Sequence, residues 1–298
     1  MKPPLAPTSE SERIQVLDVL RGFALLGILI TNIQHFSMLF GAGILLAAER
    51  RDKRGSAPGL FHYRRMLVLL LIGMVHGYLI WYGDILFSYA VCGAVVFLFR
   101  KRPAPFLFGA GLAFMAMQVV MTVISFAAPH LFTFVHVFQG MSLEEILASD
   151  LQAFRGGWTE NLRTRVLYTL EGQTSGLLIN GFWRTTGIML VGMGLYRLGI
   201  ITGKASRAVY WGFIAAGVGV GIPITAGVLR LSVMTGWNNF WIQQLSMQVI
   251  LWVGIVVGLG WMGIVMLVCK AGCRSWPGRA LAAVGRTALS NYLLQSLL

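Results

Sequence analysis

The stretch "LDVLRGFALLGILITNIQHF", residues 17–36, decides the fold class, because its apolar run is long enough to enter a lipid bilayer. Asp18 and Arg21 lie near one end of this run, and Asn32 and His35 lie near the other. Such polar groups cost free energy at membrane depth, so by default they face a protein interior or a water-filled cavity and indicate function.

The composition of the whole chain extends this interpretation. The protein has 298 residues, of which 56% are hydrophobic and 12% charged, and its mean hydropathy is +0.72. Soluble domains do not reach these values. Lys and Arg outnumber Asp and Glu by 24 to 11, but almost all of the basic residues lie in short loops between apolar runs. We therefore expect an integral membrane protein whose partners include membrane lipids and exclude nucleic acid.

The apolar runs predict an all-α fold, a polytopic transmembrane helical bundle of about nine spans. A disordered cytoplasmic tail is expected over residues 1–14, followed by a single transmembrane domain over residues 15–298. The predicted spans are 15–34, 36–49, 65–82, 84–100, 104–127, 177–197, 206–230, 243–269 and 280–298.

Basic loops fall on alternate connections between these spans. By the positive-inside rule the N-terminus and these loops are cytoplasmic. The loops are 49–65, 100–103, 197–207 and 270–279. The connection over 128–176 is then an outer amphipathic insertion of one or two helices, with Ser142 and Glu145 spaced as a helix cap. A lid over an outward-facing site and a simple connector both fit this pattern.

Polar residues inside the spans are the candidate site. Asp18 and Arg21 are three residues apart and predict an ion pair on one helix face. In "MVHGYLIWYGDILFSYAVCG", residues 74–93, the imidazole of His76 and the carboxylate of Asp84 can both point into the outer half of the bundle. Arg184 enters the sixth span at a similar depth. We expect a convergence at this outer level of Asn32, His35, His76, Asp84 and Arg184.

The cysteines give no sign of a metal or disulfide site. Cys92, Cys269 and Cys273 lie within or beside apolar runs, without a CxxC pair or a His at ligand spacing. We expect small packing residues, no disulfide framework and no metal.

Several motifs resemble the YeiB-like family of bacterial inner-membrane proteins. They are "LDVLRGFALLGILITNI" (17–33), "FSMLFGAGI" (36–44), "HGYLIWYGDILFSYAVCG" (76–93), "FWRTTGIMLVGMGLYRLGI" (182–200) and "GRTALSNYLLQSLL" (285–298). Through "LDVLRG" and the late Asn of the first span, the chain is also loosely similar to the transmembrane acyltransferases, which include the heparan-glucosaminide N-acetyltransferase. The resemblance implies a multi-pass protein of the bacterial inner membrane.

The similarity to the transmembrane acyltransferases implies an acyl-transfer reaction and the residues that carry it out. In that superfamily an acyl group passes from cytosolic acyl-CoA, the co-substrate, to an acceptor on the far side of the membrane. Asn32 matches the reaction-centre Asn, whereas His35 is a near match because its spacing from Asn32 is shorter. The acceptor is a small molecule, a lipid or a sugar, and a homodimer is left open.

Two histidines compete for the role of the base. His35 is favoured by the resemblance, and His76 by its place inside a span with Asp84 at hand to orient it. A neutral imidazole can remove the proton of an acceptor, and an Asn amide can hydrogen-bond the oxyanion. The candidate catalytic residues are therefore Asn32, His35, His76 and Asp84; those for substrate or cofactor binding are Asp18, Arg21, Arg184 and Asn291.

The phosphates of CoA need cations at the cytoplasmic entrance. The chain offers Arg21, Arg50, Arg51, Lys53, Arg54, Arg64 and Arg65. Membrane topology explains the same residues fully and is the explanation that we favour.

One departure from the family concerns the connection after the first span. The family has an outer segment there, whereas "TNIQHF" runs directly into "SMLFGAG". A single helix over 15–49 would be about 50 Å long, against a bilayer core of about 30 Å. We expect the chain to lack family residues near 36–37 and after 298.

The alternative function is a transporter or a lipid- or quinone-binding membrane protein without chemistry. The Gly-rich stretch "WGFIAAGVGVGIPITAG", residues 211–227, contains Pro223 and small residues spaced by four. This pattern permits close helix packing or a broken helix at a binding site.

Overall fold

The computed structural model describes residues 15–28, 34–132, 143–237, 239–272 and 276–296, and helices are the only regular structure within these ranges. The predicted all-α class is confirmed. The helices are α1 (Gln15–Ile28), α2 (Gln34–Lys53), α3 (Pro58–Leu79), α4 (Leu86–Val96), α5 (Ala104–Ala127), α6 (Leu143–Arg155), α7 (Trp158–Glu171), α8 (Phe182–Arg197), α9 (Arg207–Ala216), α10 (Ile222–Met234), α11 (Phe240–Gly272), α12 (Trp276–Arg286) and α13 (Ala288–Gln295).

Four of the described helical stretches are long and apolar enough to cross a bilayer. They are Pro58–Leu79, Ala104–Ala127, Arg207–Met234 and Trp241–Gly272, and Leu86–Phe99 is a shorter apolar helix. Their large apolar side chains are widely exposed, as at Leu67 and Val123, which suits a lipid environment. The count of nine spans stays a prediction.

Several helix boundaries differ from those predicted, and two of the differences change the assignment of residues. α3 begins at Pro58 rather than at residue 65, because proline is favoured in the first turn of a helix. Arg64 and Arg65 therefore belong to the helix rather than to the loop. The last predicted span, 280–298, is divided between α12 and α13, which meet at Thr287.

The segment that was predicted to be an outer insertion, residues 128–176, contains two helices, α6 and α7. A π-helical segment, Gly172–Gly181, joins α7 to α8 without a break. Residues 158–197 thus form one helical rod of about 60 Å, twice the thickness of a bilayer core. A second π-helical segment, Gly217–Gly221, joins α9 to α10 in the Gly-rich stretch.

The chain divides into two compact units. The first unit comprises Met1–Leu39 and Leu198–Asn291, and the second comprises Phe40–Arg197 and Tyr292–Leu298. The single domain over residues 15–298 stays a prediction.

The first unit packs through glycines. A Cβ atom added at Gly22 of α1 would overlap the carbonyl oxygen of Leu281 in α12, and one at Gly285 would overlap that of Asp18. A Cβ at Gly217 would lie 2.8 Å from the Cα of Gly260 in α11. Close helix packing is therefore what the Gly-rich stretch provides here.

The second unit holds α3, α4, α5 and α8 around a buried apolar core. This core includes Leu107, Met115, Ile188, Met189 and Met193. Gly73 brings α3 close to α4, since a Cβ there would overlap the backbone nitrogen of Phe87 and lie 2.8 Å from Oδ2 of Asp84. This approach places the last turn of α3 beside the start of α4.

Candidate functional site

A buried imidazole–carboxylate pair lies where α3 ends and α4 begins. Nδ1 of His76 is 2.9 Å from Oδ1 of Asp84, and their side chains are 1% and 2% exposed. The other carboxylate oxygen, Oδ2, accepts the backbone N–H of Phe87 at 2.8 Å. Asp84 thus satisfies a backbone N–H in the first turn of α4 and is also the partner of His76.

This geometry defines which nitrogen of His76 is free. An ionised carboxylate only accepts hydrogen bonds, so Nδ1 carries the proton that it donates to Asp84. In the neutral ring Nε2 then holds a lone pair. Within the part of the chain that the structure describes, Nε2 is buried and has no hydrogen-bond partner.

A second buried histidine on α3, His62, has a purely structural role. Nε2 of His62 donates to the carbonyl oxygen of Gly93 at 3.0 Å, and the ring stacks on Phe97 with 4.2 Å between the ring centroids. This imidazole joins α3 to α4. Packing explains it, whereas the free Nε2 of His76 needs another explanation.

Tyr292 of α13 completes one side of the pair. Its ring centroid is 5.3 Å from that of His76, and its hydroxyl accepts the N–H of Ile85 at 3.2 Å. Tyr292 was not among the predicted site residues, whereas its neighbour Asn291 was. Asn291 instead donates to the carbonyl oxygen of Val284 at 3.2 Å and to Oγ1 of Thr287 at 3.0 Å, which supports the helix break.

Gln173 of the first π-helical segment lies on the other side. Its Oε1 accepts the hydroxyl of Tyr78 at 3.2 Å, while its Nε2 is buried without a partner among the described residues. A Cβ at Gly77 would lie 3.4 Å from this Nε2 and 3.5 Å from Cβ of Asp84. The sequence signal that could have found this approach is the glycine that follows His76.

The wider convergence that we predicted is only partly found. Arg184 is half-buried on α8, and in the described structure no hydrogen bond or ion pair joins it to His76 or Asp84. Equal depth in the membrane does not place side chains on facing helix surfaces, and that was the basis of the prediction. Asn32 and the side chain of His35 lie outside the described residues.

The remaining predicted residues lie in the first unit. Nη1 of Arg21 is 3.5 Å from Oδ1 of Asp18, so the predicted ion pair is present on α1. It spans one helical turn, as residues three apart do.

The cysteines require one correction. Cys92 is free and buried, but Cys269 is disulfide-bonded, contrary to the expectation of no disulfide. The absence of a CxxC pair was the wrong criterion, because disulfides do not require that spacing. Among the described residues no group of three or more His, Cys, Asp or Glu side chains could hold a metal ion.

These features define a class, the all-helical membrane proteins, with a buried imidazole–carboxylate pair at one helix end. Residues 195–298 match the family described as "Protein of unknown function (DUF418)". That segment contains Tyr292, while His76 and Asp84 lie outside it.

Relatives from Escherichia coli and two Bacillus species extend this similarity. The chain is 27% identical to the uncharacterized protein YeiB of Escherichia coli, over 96% of this chain and 82% of YeiB. It is 36% identical to the uncharacterized protein YxaH of Bacillus subtilis, over 33% of this chain and 35% of YxaH. An uncharacterized 39.9 kDa protein of Bacillus acidopullulyticus is 34% identical over 32% of this chain and 36% of its own length.

The predicted resemblance to the YeiB-like proteins is confirmed by these matches. The alignment with YeiB extends over 362 residues, more than the 298 of this chain, so YeiB contains residues without a counterpart here. No solved structure matches the chain.

Proposed function

We propose that this protein is a transmembrane acyltransferase, which passes an acyl group from cytosolic acyl-CoA to an acceptor at the outer side of the bacterial inner membrane. The observation that carries the proposal is the free Nε2 of His76, whose ring is held through Nδ1 by Asp84. A buried base with a fixed tautomer is what proton abstraction from a hydroxyl or an amine requires.

The reaction balances with the groups at hand. Nε2 of His76 removes the proton of the acceptor while the acceptor attacks the thioester carbonyl carbon. The C–S bond breaks, and the CoA thiolate takes the proton from the imidazolium, so that CoA–SH and an acyl ester or amide are the products. Asp84 stabilises the imidazolium between these two transfers. By the resemblance, Asn32 donates to the oxyanion.

A cationic corner between α2 and α3 supports the entry of acyl-CoA. The guanidinium carbons of Arg51 and Arg65 lie 3.8 Å and 5.6 Å from the centre of the Phe61 ring. Beside this ring is a shallow groove, lined in part by Pro58 and His62. Stacked guanidinium groups are suited to phosphates.

This corner and His76 lie at opposite ends of α3. Phe61 and His76 are about 22 Å apart along the helix axis, a large part of the bilayer core of about 30 Å. The thioester of a CoA molecule whose phosphates bind at this corner therefore has to reach along α3 to His76. We propose the same acceptor classes that the resemblance implies: a small molecule, a lipid or a sugar.

The test is release of CoA–SH from acetyl-CoA or palmitoyl-CoA by the purified full-length protein. The acceptors offered are glucosamine, glycerol and phosphatidylethanolamine, in liposomes of bacterial polar lipids. We expect His76→Ala to abolish release, and the exposed His130→Ala to match the wild type. Asn32→Ala and His35→Ala test the residues that the resemblance names.

Two results would contradict the proposal. One is a wild-type protein that releases no CoA–SH from either thioester, and the other is full release by His76→Ala. In either case the transporter or the lipid- or quinone-binding function becomes the better hypothesis. The two π-helical segments fit that alternative and the enzyme equally, because such segments are frequent at functional sites of either kind.

A further inference from the structure

The carbonyl groups at the end of α3 are held by side chains of α7. The last carbonyls of a helix lack partners within the helix. Here the carbonyl oxygen of Gly77 accepts Oγ1 of Thr169 at 2.8 Å. That of Leu79 accepts Nη1 of Arg165 at 2.9 Å and Nε1 of Trp158 at 2.8 Å. All three donors belong to the outer insertion.

Arg165 is the most constrained of these donors. It is 5% exposed, its Nη2 donates to Oδ1 of Asn161 at 2.9 Å, and its guanidinium carbon lies 5.5 Å from the centre of the Trp158 ring. Its positive charge lies at the C-terminal end of α3, where the helix dipole favours a cation. A buried arginine with a fixed geometry holds this carbonyl firmly.

The turn that Arg165 holds is the turn that carries His76. The carbonyl oxygen of His76 accepts the N–H groups of Ile80 and Trp81 at 2.9 Å and 2.8 Å. Leu79 is three residues after His76, so both lie on the same turn of α3. A movement of this turn would displace Nδ1 of His76 from Asp84.

We propose that Arg165 is a positioning residue for His76, which keeps Nδ1 on Asp84 and Nε2 free by fixing the last turn of α3. The inference rests on the proposed function in taking His76 as the base. It also gives the outer insertion a role other than a lid or a connector, because α7 supports the site from outside.

The experiment compares three variants of the full-length protein in detergent: Arg165→Ala, Arg165→Lys and, as the matched control, Arg163→Ala. Arg163 lies on the same helix and is exposed. The ¹⁵N signals of labelled His76 report which ring nitrogen is protonated, a property that a merely structural role would not move. Hydrogen exchange at the amides of Ile80 and Trp81 reports the last turn of α3.

Arg165→Ala is expected to convert His76 from a single Nδ1–H tautomer to a mixture and to speed the two amide exchanges by roughly 10- to 100-fold, as loss of a charged hydrogen bond does. Arg165→Lys, with one donor for the Leu79 carbonyl, should give intermediate values. Arg163→Ala should match the wild type.

Unchanged His76 signals in Arg165→Ala overturn the inference, as do equal changes in Arg163→Ala. If Arg165→Ala does not fold, Arg165→Lys decides: a shifted tautomer ratio supports the inference, and wild-type signals overturn it. CoA–SH release separates the two proposals. If the wild-type protein releases no CoA–SH, the acyltransferase proposal is rejected. The NMR result still decides the role of Arg165.

Discussion

The two units of this protein bury different kinds of groups. The first unit brings helix backbones together through glycines, and its described buried polar side chains are few and mostly small: Asp18, Ser37, Ser232 and Ser246. The second unit buries larger polar side chains among its described residues: His62, His76, Gln118, Thr122, Arg165, Thr169 and Thr186.

Buried polar atoms without a hydrogen-bond partner are also found mainly in the second unit, among the described residues. Six buried side-chain nitrogen or oxygen atoms lack a hydrogen-bond partner in the described structure, and only Nε2 of Gln243 lies in the first unit. Those of the second unit belong to His76, Arg100, Gln173, Arg184 and Thr186. Since such atoms are costly at membrane depth, the second unit is where a function is to be sought.

The segment that matches the family lies mostly in the first unit. Residues 195–298 include nearly all of the long helices of the first unit, whereas the pair of His76 and Asp84 lies outside them. The matched segment therefore contains Tyr292 but neither member of the pair.

The largest effect is expected from Gly22→Val in the first unit. The added side chain meets the backbone of Leu281, so α1 and α12 have to separate. The free energy of unfolding should fall by at least about 3 kcal/mol, seen as loss of the monodisperse peak in size-exclusion chromatography. Gly212→Val is the control, because nothing lies near that position. Equal behaviour of the two variants would contradict the packing account.

Asp84→Asn should show the opposite pattern, with lost activity and retained fold. The amide of Asn donates to Nδ1 of His76 and so favours the Nε2–H tautomer, which is not a base. Its oxygen can still accept the N–H of Phe87. CoA–SH release should fall by about 10²-fold or more, with little change in Tm. A variant with full release would show that Asp84 does not orient the base.

Asn180→Leu should have a smaller effect, on stability alone. Its Oδ1 accepts Nε2 of Gln118 at 2.8 Å and Oγ1 of Thr122 at 3.2 Å. Losing these bonds should cost about 1 kcal/mol, measured as a lower Tm, since bonds between membrane helices are weak. The exposed Leu178→Ala, in the same π-helical segment, should leave Tm nearly unchanged. Loss of CoA–SH release by Asn180→Leu would place this network in the site.

Tyr292→Phe should have a similarly small effect, which appears in the activity. The hydroxyl accepts the backbone N–H of Ile85 and also interacts with the carboxylate of Asp84, and the loss of one such hydrogen bond costs about 1 kcal/mol. CoA–SH release should fall by about 5-fold, while the His76 tautomer stays as in the wild type. A hundredfold loss would make Tyr292 a catalytic residue.

Local patterns made part of this structure predictable. Apolar runs fixed the helical class, and the spacing of three fixed the contact of Asp18 with Arg21. His76 and Asp84 are eight residues apart across one tight turn, so their contact also follows from the chain nearby. Residues that are close in the sequence can adopt few relative positions, so such contacts are easier to predict.

Long-range contacts explain what was missed. Tyr292 bonds to a residue 207 positions away, and Gln173 to one 95 positions away, so no spacing along the chain could reveal either. The break at Thr287 carries neither glycine nor proline at that position, and hence no breaker signal. Arg184 was assigned by depth alone, which does not specify the helix face.

The most direct test of the central claim is the ¹⁵N spectrum of the wild-type imidazoles at neutral pH, with the His76 signals assigned by their loss in His76→Gln. The account predicts that Nδ1 of His76 is protonated and that Nε2 is not, because Asp84 holds the proton on Nδ1. A His76 ring protonated on Nε2, alone or together with Nδ1, would contradict the claim that the second unit contains a base ready to act.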